Sequence, residues 1–363
     1  MEERQTASVF PGRLLSLDLA RGLTILLMVL VNQPGSWSHI YPWLRHAPWH
    51  GYTLADFVFP SFVFILGASV YLSAPSPFRI LRRTMLLLLA GLLIHAFPYL
   101  QSDGSLHERL VDLRLPGVLQ RLALVYCCVA FSARYLKPSW IGILVLLTLP
   151  GYDWILRNGA ALLPLDQTSC SGFSSAEKNL PACIDRWLFG KHIFVRGGYD
   201  PEGLLSTWPA FATGWLGYLA GVQLYKKNRL PWWSALLLLA GAIVWPMPVN
   251  KVLWTPSFVL LSAALSLILL QLFAPLDRLR SSFWLRSADF FIGAAGRNAL
   301  LVFIGSALFA RIWELLGWRR HIFQLLCLFF EPVRVSLAYA ISWVVVWLVV
   351  VVWMDRRRLY IRL

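Results

Sequence analysis

Stretches of about 18 or more predominantly apolar residues recur from residue 14 to residue 354, and runs of that length are suited to crossing a bilayer. Inside lipid every backbone N–H and C=O must find its partner within the chain, so helices are the expected form. The expected fold is an all-α polytopic membrane protein of about ten transmembrane helices, near 14–33, 53–74, 84–101, 115–136, 139–157, 204–224, 231–249, 254–274, 289–313 and 335–354. Only 14% of the residues are charged, against about a quarter in soluble domains, which argues against an ordinary soluble fold. The net charge of +15 is dispersed through short loops, with no basic face or arm, so nucleic acid is not an expected partner. The loop cations include Arg79, Arg82, Arg83, Arg134, Lys137, Lys226, Lys227, Arg229, Arg278, Arg280 and Arg286, and the tail adds Arg356, Arg357 and Arg358. The positive-inside rule puts these segments, and both termini, in the cytoplasm. The whole chain, 1–363, reads as one membrane domain with an external loop lobe at about 158–203. That lobe holds Cys170 and Cys183, for which a disulfide suits an oxidising compartment.

A charge at the bilayer centre costs roughly 2.5–3.5 kcal/mol on insertion scales, so ionisable groups within spans are candidates for function. In "RLLSLDLARGLTILLMVLVNQPGSW", Asp18 and Arg21 share a helical face near the cytoplasmic end. They read either as an ion pair at the helix start or as the floor of a site for a charged ligand. Asn32 lies ~21 Å further along the helix axis and reads as a C-terminal cap or as a donor to a carbonyl oxygen. His39, His46 and His50 stand beside Trp37, Trp43 and Trp49 in the break between the first two spans. Imidazole can take a proton from an amine or attack a thioester. Thr53 and Asp56 in "TLAD" have capping-box spacing, and Asp56 reads as a helix cap or as the carboxylate that orients a site histidine.

Gln120 and Arg121 fall inside the fourth expected span, where Arg121 needs a structural partner or an anionic ligand. In "YDPEGLLST", Asp200, Pro201 and Glu202 read as N-cap, first residue and first turn of a helix. Arg297 and Asn298 lie inside the ninth. The sequence has no P-loop, no dinucleotide-binding glycine fingerprint, no paired metal-ligand motif and no nucleophile elbow. No metal is expected, and neither ATP-driven transport nor serine-hydrolase chemistry.

Five segments in order, "RLLSLDLARGLTILLMVLVNQPGSW", "HAPWHGYTLADFVFPSFVFILGASV", "LPGVLQRLALVY", "YDPEGLLSTWPA" and "NKVLWTPSFVL", resemble the heparan-α-glucosaminide N-acetyltransferase family over nearly the whole chain. The match is nearest to its short bacterial members. The resemblance implies a transmembrane acyltransferase-like bundle, here in a bacterial inner membrane, that takes acetyl-CoA from the cytosolic side and acetylates the amine of a glucosamine-type sugar on the far side. It implies that His46, in a His-Ala-x-Trp context, is the essential histidine and that Asn32 is the site asparagine. His50 stands where the lysosomal enzyme has an asparagine, so no catalytic role carries over to it. His50, Asp56, Trp49, Trp37, Asp200 and Glu202 are then candidates for orienting His46 or binding the acceptor. Asp18, Arg21, Gln120, Arg121 and Asn298 are candidates for holding the donor. The resemblance also allows a homodimer. Two rival readings are an amino-sugar transporter, which buried ionisable groups and broken spans would suit, and an O-acetyltransferase acting on an envelope polysaccharide.

Overall fold

A computed structural model describes residues 14–99, 107–162, 170–173, 175–227, 230–278 and 287–360, and no β-strand occurs among them. The principal helices are α1 (Leu15–Asn32), α2 (Leu54–Ser73), α3 (Pro77–Ala96), α4 (Val118–Tyr135), α5 (Pro138–Leu162), α6 (Leu180–Phe189), α7 (Leu204–Lys227), α8 (Trp232–Val244), α9 (Pro256–Phe273), α10 (Ala299–Leu315), α11 (Trp318–Leu326) and α12 (Pro332–Arg356). A π-helical turn and a short helix, Asp289–Gly293 and Ala294–Arg297, precede α10 and meet it at a bend of 77°.

A helix underlies each of the ten predicted apolar runs, but fewer of them meet a length and hydropathy test for crossing a membrane. Among the described residues five helices qualify: α1, α2, α5, α9 with its continuation to Asp277, and α12; counting the bent pair as one span makes six. The sequence count of ten is therefore more than helix length and hydropathy establish. The thirteen residues of α8 reach only ~20 Å, against ~30 Å of hydrocarbon. The expected third span is displaced toward the N-terminus. There α3 begins at Pro77, after the Ser76 side chain, which accepts the Arg79 N–H, so Arg79, Arg82 and Arg83 lie in its first turns.

The bundle is organised around α2 and α7, which pack along a seam of small residues. A side chain on Gly217 would overlap the Phe64 carbonyl, and one on Gly67 the Gly214 carbonyl, so the backbones approach as closely as glycine permits. Two links fix the direction of the helices. Arg21 of α1 donates to Ser69 near the end of α2 (2.5 Å), so these helices run antiparallel. Ser16, at the start of α1, donates from N–H (2.9 Å) and Oγ (2.6 Å) to Asp277 beyond the end of α9. One end of the bundle thus gathers the starts of α1 and α3 and the ends of α2 and α9. The other gathers the end of α1 and the starts of α2, α4, α7 and α9.

The lobe beyond α5 is tied by a Cys170–Cys183 disulfide, with Cα atoms 5.7 Å apart. Asn179 caps α6 by accepting the Ala182 N–H at 2.9 Å.

Candidate active site

At the end where α2, α4, α7 and α9 begin, four helix N-termini add positive partial charge to a cluster of carboxylates and cations. Thr53 and Asp56 form the capping box that starts α2. Asp56 Oδ2 accepts from Thr53 N–H (3.1 Å), Thr53 Oγ1 (3.0 Å) and Ala47 N–H (3.0 Å). Oδ1 lies 2.8 Å from His46 Nδ1. Asp56 thus meets the start of α2 with one oxygen and the His46 ring with the other. The Asp56 side chain is 1% exposed while His46 is 47% exposed, so the carboxylate is sealed beneath a ring that solvent and ligands can reach. A carboxylate accepts, so Nδ1 carries the proton and Nε2 bears the ring's one free lone pair.

Lys251, which sequence reasoning left out, stands against the same ring. Its Nζ is 3.2 Å from His46 Nδ1, 3.3 Å from Nε2 and 3.8 Å from Asp56 Oδ1. It belongs to the turn between α8 and α9, within the "NKVLWTPSFVL" segment. The preceding Asn250 is fully buried; its Nδ2 donates to the Trp49 carbonyl (3.0 Å) and lies 3.3 Å from His50 Nδ1. His50 is thus held to the turn and Trp49 to the lobe, its indole N–H donating to the Phe173 carbonyl at 2.5 Å. Trp37 is 52% exposed. Asn32 closes α1 at this end and is exposed, and among the described residues no hydrogen bond joins it to His46.

Asp200 and Glu202 do not start a helix as the sequence suggested; α7 begins at Leu204. Asp200 is drawn away by Arg114, whose Nε and Nη2 donate to its two oxygens at 2.9 and 2.6 Å, and by the Phe194 N–H at 2.8 Å. Arg114 also donates to Glu202 (2.6 Å). Burial opposes the charge on Arg114, but the two carboxylates prevail and raise it above the ordinary arginine value. Burial likewise works against the Glu202 carboxylate, and Arg114 and Arg121 outweigh it to hold Glu202 below the usual carboxylate range.

The expected donor-side residues separate. Asp18 and Arg21 pair at 3.6 Å and line a cavity of about 730 Å³ at the opposite end of the bundle. Arg79, Arg82, Arg83 and Arg297 join Arg21 in its wall, and its apolar neck reaches Phe62, Leu66, Leu122 and Leu300. Arg297 is paired with Asp289 and Asp355. Arg79, Arg82 and Arg83 form no ion pair among the described residues, and the buried Arg83 Nε lacks a hydrogen-bond partner there. Gln120 and Asn298 are buried, and both amide atoms of each lack partners among the described residues. Asn298 precedes the cavity residue Ala299 in sequence, whereas Gln120 lies two residues before Leu122 with its amide against Gly91. Arg121 is elsewhere. It is 1% exposed, donates to Ser206 (2.5 Å), Thr207 (3.2 Å) and the Gly203 carbonyl (3.2 Å), and stacks on Trp254. Its place is beside α7 and the Lys251 turn, away from the arginine mouth.

Fold and site together define an all-helical integral membrane protein with a basic cavity at one end of its bundle and a carboxylate–imidazole–ammonium cluster at the other. Residues 13–171 match the family model described as heparan-alpha-glucosaminide N-acetyltransferase, catalytic. The heparan-alpha-glucosaminide N-acetyltransferase of Homo sapiens is 31% identical over 86% of this chain and 56% of its own length. That of Mus musculus is 28% identical over 85% and 56%. The chain is similar to this family over most of its length, and it spans just over half the length of these curated relatives.

Proposed function

We propose that the protein is an acetyl-CoA-dependent N-acetyltransferase that modifies the amine of a glucosamine-type sugar across a bacterial inner membrane. The observation that carries this reading is the disposition of two sites along one helix. Asp56 and Ser69 lie at the two ends of α2, ~20 Å apart along its axis. The basic cavity enters beside Ser69 and Ser73 and reaches Phe62, which leaves ~9 Å along α2 to Asp56. A ligand with an anionic head and a long, thin arm suits this shape. Arg79, Arg82, Arg83 and Arg21 would hold the phosphates, and the unpartnered amides of Gln120 and Asn298 would serve the arm's amide groups. When bound, acetyl-CoA supplies an acetyl thioester whose C–S bond breaks as the C–N bond to the amine forms, releasing the thiol.

His46 acts at the far end. Nε2 receives the proton that the amine gives up, and Asp56 keeps the ring in the required tautomer and stabilises the imidazolium that results. Asn32 holds the developing oxyanion from the end of α1. Glu202, Trp49 and Trp37 face the acceptor. The positive-inside rule favours a cytoplasmic arginine mouth, with His46 on the outer side and about ten spans between.

Protein in lipid nanodiscs, given acetyl-CoA and glucosamine, is expected to release free thiol and form a stable amide. His46→Ala should lower that rate by about 100-fold or more. Equal turnover in wild type and mutant rejects the site. Sugar uptake into proteoliposomes without thiol release favours a transporter, and a base-labile product favours O-acetyl transfer.

A further inference from the structure

Lys251 reaches His46 from a turn that is unusually well built. Asn250 N–H donates to Thr255 Oγ1 (3.0 Å), Leu253 N–H to Asn250 Oδ1 (2.9 Å), and Thr255 Oγ1 to the Pro248 carbonyl (2.9 Å). Trp254 closes the turn with φ of 53°, a left-handed conformation that costs a non-glycine residue about 1–3 kcal/mol. The fully buried indole sustains it, donating to Thr213 Oγ1 (3.1 Å) and packing edge-on against Phe59 and Phe258. So much structure fixes the position of a lysine 205 residues away from the histidine it touches.

The contact has one available chemistry. Nζ lies nearly equidistant from the two ring nitrogens, at 3.2 and 3.3 Å, which sets the ammonium over the ring face and out of line with the in-plane lone pair of Nε2, so it acts on the ring through its charge. The groups facing this pair are Asp56 from α2, Glu202 from the segment before α7, and Arg121 from α4; Arg45, next in sequence to His46, is exposed. A buried carboxylate by itself favours a charged imidazolium, which cannot accept a proton. A cation against the ring disfavours that second positive charge.

We infer that Lys251 is a positioning residue: its ammonium, set against the face of the His46 ring, keeps the imidazole neutral and leaves Nε2 open to accept a proton between turnovers. The inference rests on the reading of His46 as the base. Burial holds the Lys251 ammonium below the ordinary lysine range, against the pull of Asp56 and Glu202.

The test compares wild type with Lys251→Met and Lys251→Arg, by pH–rate profile for acetyl transfer and by 15N-histidine NMR titration, with the His46 signal assigned from His46→Gln. Lys251→Met is expected to move the acid limb of the profile, and the His46 titration, upward by about one pH unit or more. Lys251→Arg, which keeps the charge, should leave both near wild type. Lys251→Gln keeps a neutral N–H donor, replaces the methionine variant if that does not fold, and should shift as far. A His46 titration that coincides in wild type and Lys251→Met, or one that moves equally in Lys251→Arg, overturns the inference. If the wild type transfers no acetyl group, the functional reading fails while the NMR titration still decides the role of Lys251.

Discussion

Oδ2 of Asp56 starts a helix and Oδ1 faces the imidazole, so one buried carboxylate couples the register of α2 to the placement of His46. Another buried carboxylate has the opposite character. Asp185 of α6 is fully buried; Oδ1 accepts the Leu204 N–H at 2.9 Å, while Oδ2 has no partner among the described residues. Burial pushes its pKa up to about 7. The folded value exceeds the unfolded one, so the folded lobe binds the extra proton. Its stabilisation is complete below about pH 4 and is lost as the pH rises toward about 7. The protection factors of the amides of α6 and of Leu204, corrected for intrinsic exchange, should therefore fall across that window. Asp185→Asn should flatten the dependence, and a variant that retains the wild-type slope would assign it to another group.

At the scale of elements, the seam between α2 and α7 decides whether the two sites share a frame. Valine at Gly217 must push the Phe64 backbone away, an overpacking cost of about 1–3 kcal/mol. Gly217→Val should lower the thermal midpoint in detergent, whereas Gly142→Val, where the space is open, should not. A midpoint unchanged by Gly217→Val would mean that the seam is looser than described. The helices themselves were legible in the hydropathy pattern, because burial in lipid demands the same apolar run that the eye finds. Their turns were not. Asp200 and Pro201 carry good helix-start chemistry, yet Arg114, 86 residues away, recruits the carboxylate and the helix starts later. His46 and Asp56 were legible because they are ten residues apart in one segment. Lys251 was not, since its approach depends on α2 and α9 beginning at the same end of the bundle, a fact of tertiary packing.

The whole molecule is electrically lopsided around its cavity. Among the described residues Arg21, Arg79, Arg82, Arg83 and Arg297 line it with a single acid, Asp18. Removing two cations that form no ion pair among the described residues, in Arg82→Ala/Arg83→Ala, should raise the KM for the proposed donor, acetyl-CoA, by about tenfold or more, ~1.4 kcal/mol, and weaken its salt dependence. The KM for the sugar should stay put, since that ligand is proposed to meet the opposite end. A rise shared by both substrates would argue for a general loss of structure.

Between the arginines and the imidazole, the chain offers no flexible linker to take up slack. The interval is counted out in helical residues, thirteen from Asp56 to Ser69. One residue inserted between them would turn Asp56 by about 100° around the axis as well as shifting it by about 1.5 Å. α2 is therefore a gauge with a single graduation, and a donor whose arm is too short or too long would present its reactive end to bare helix wall.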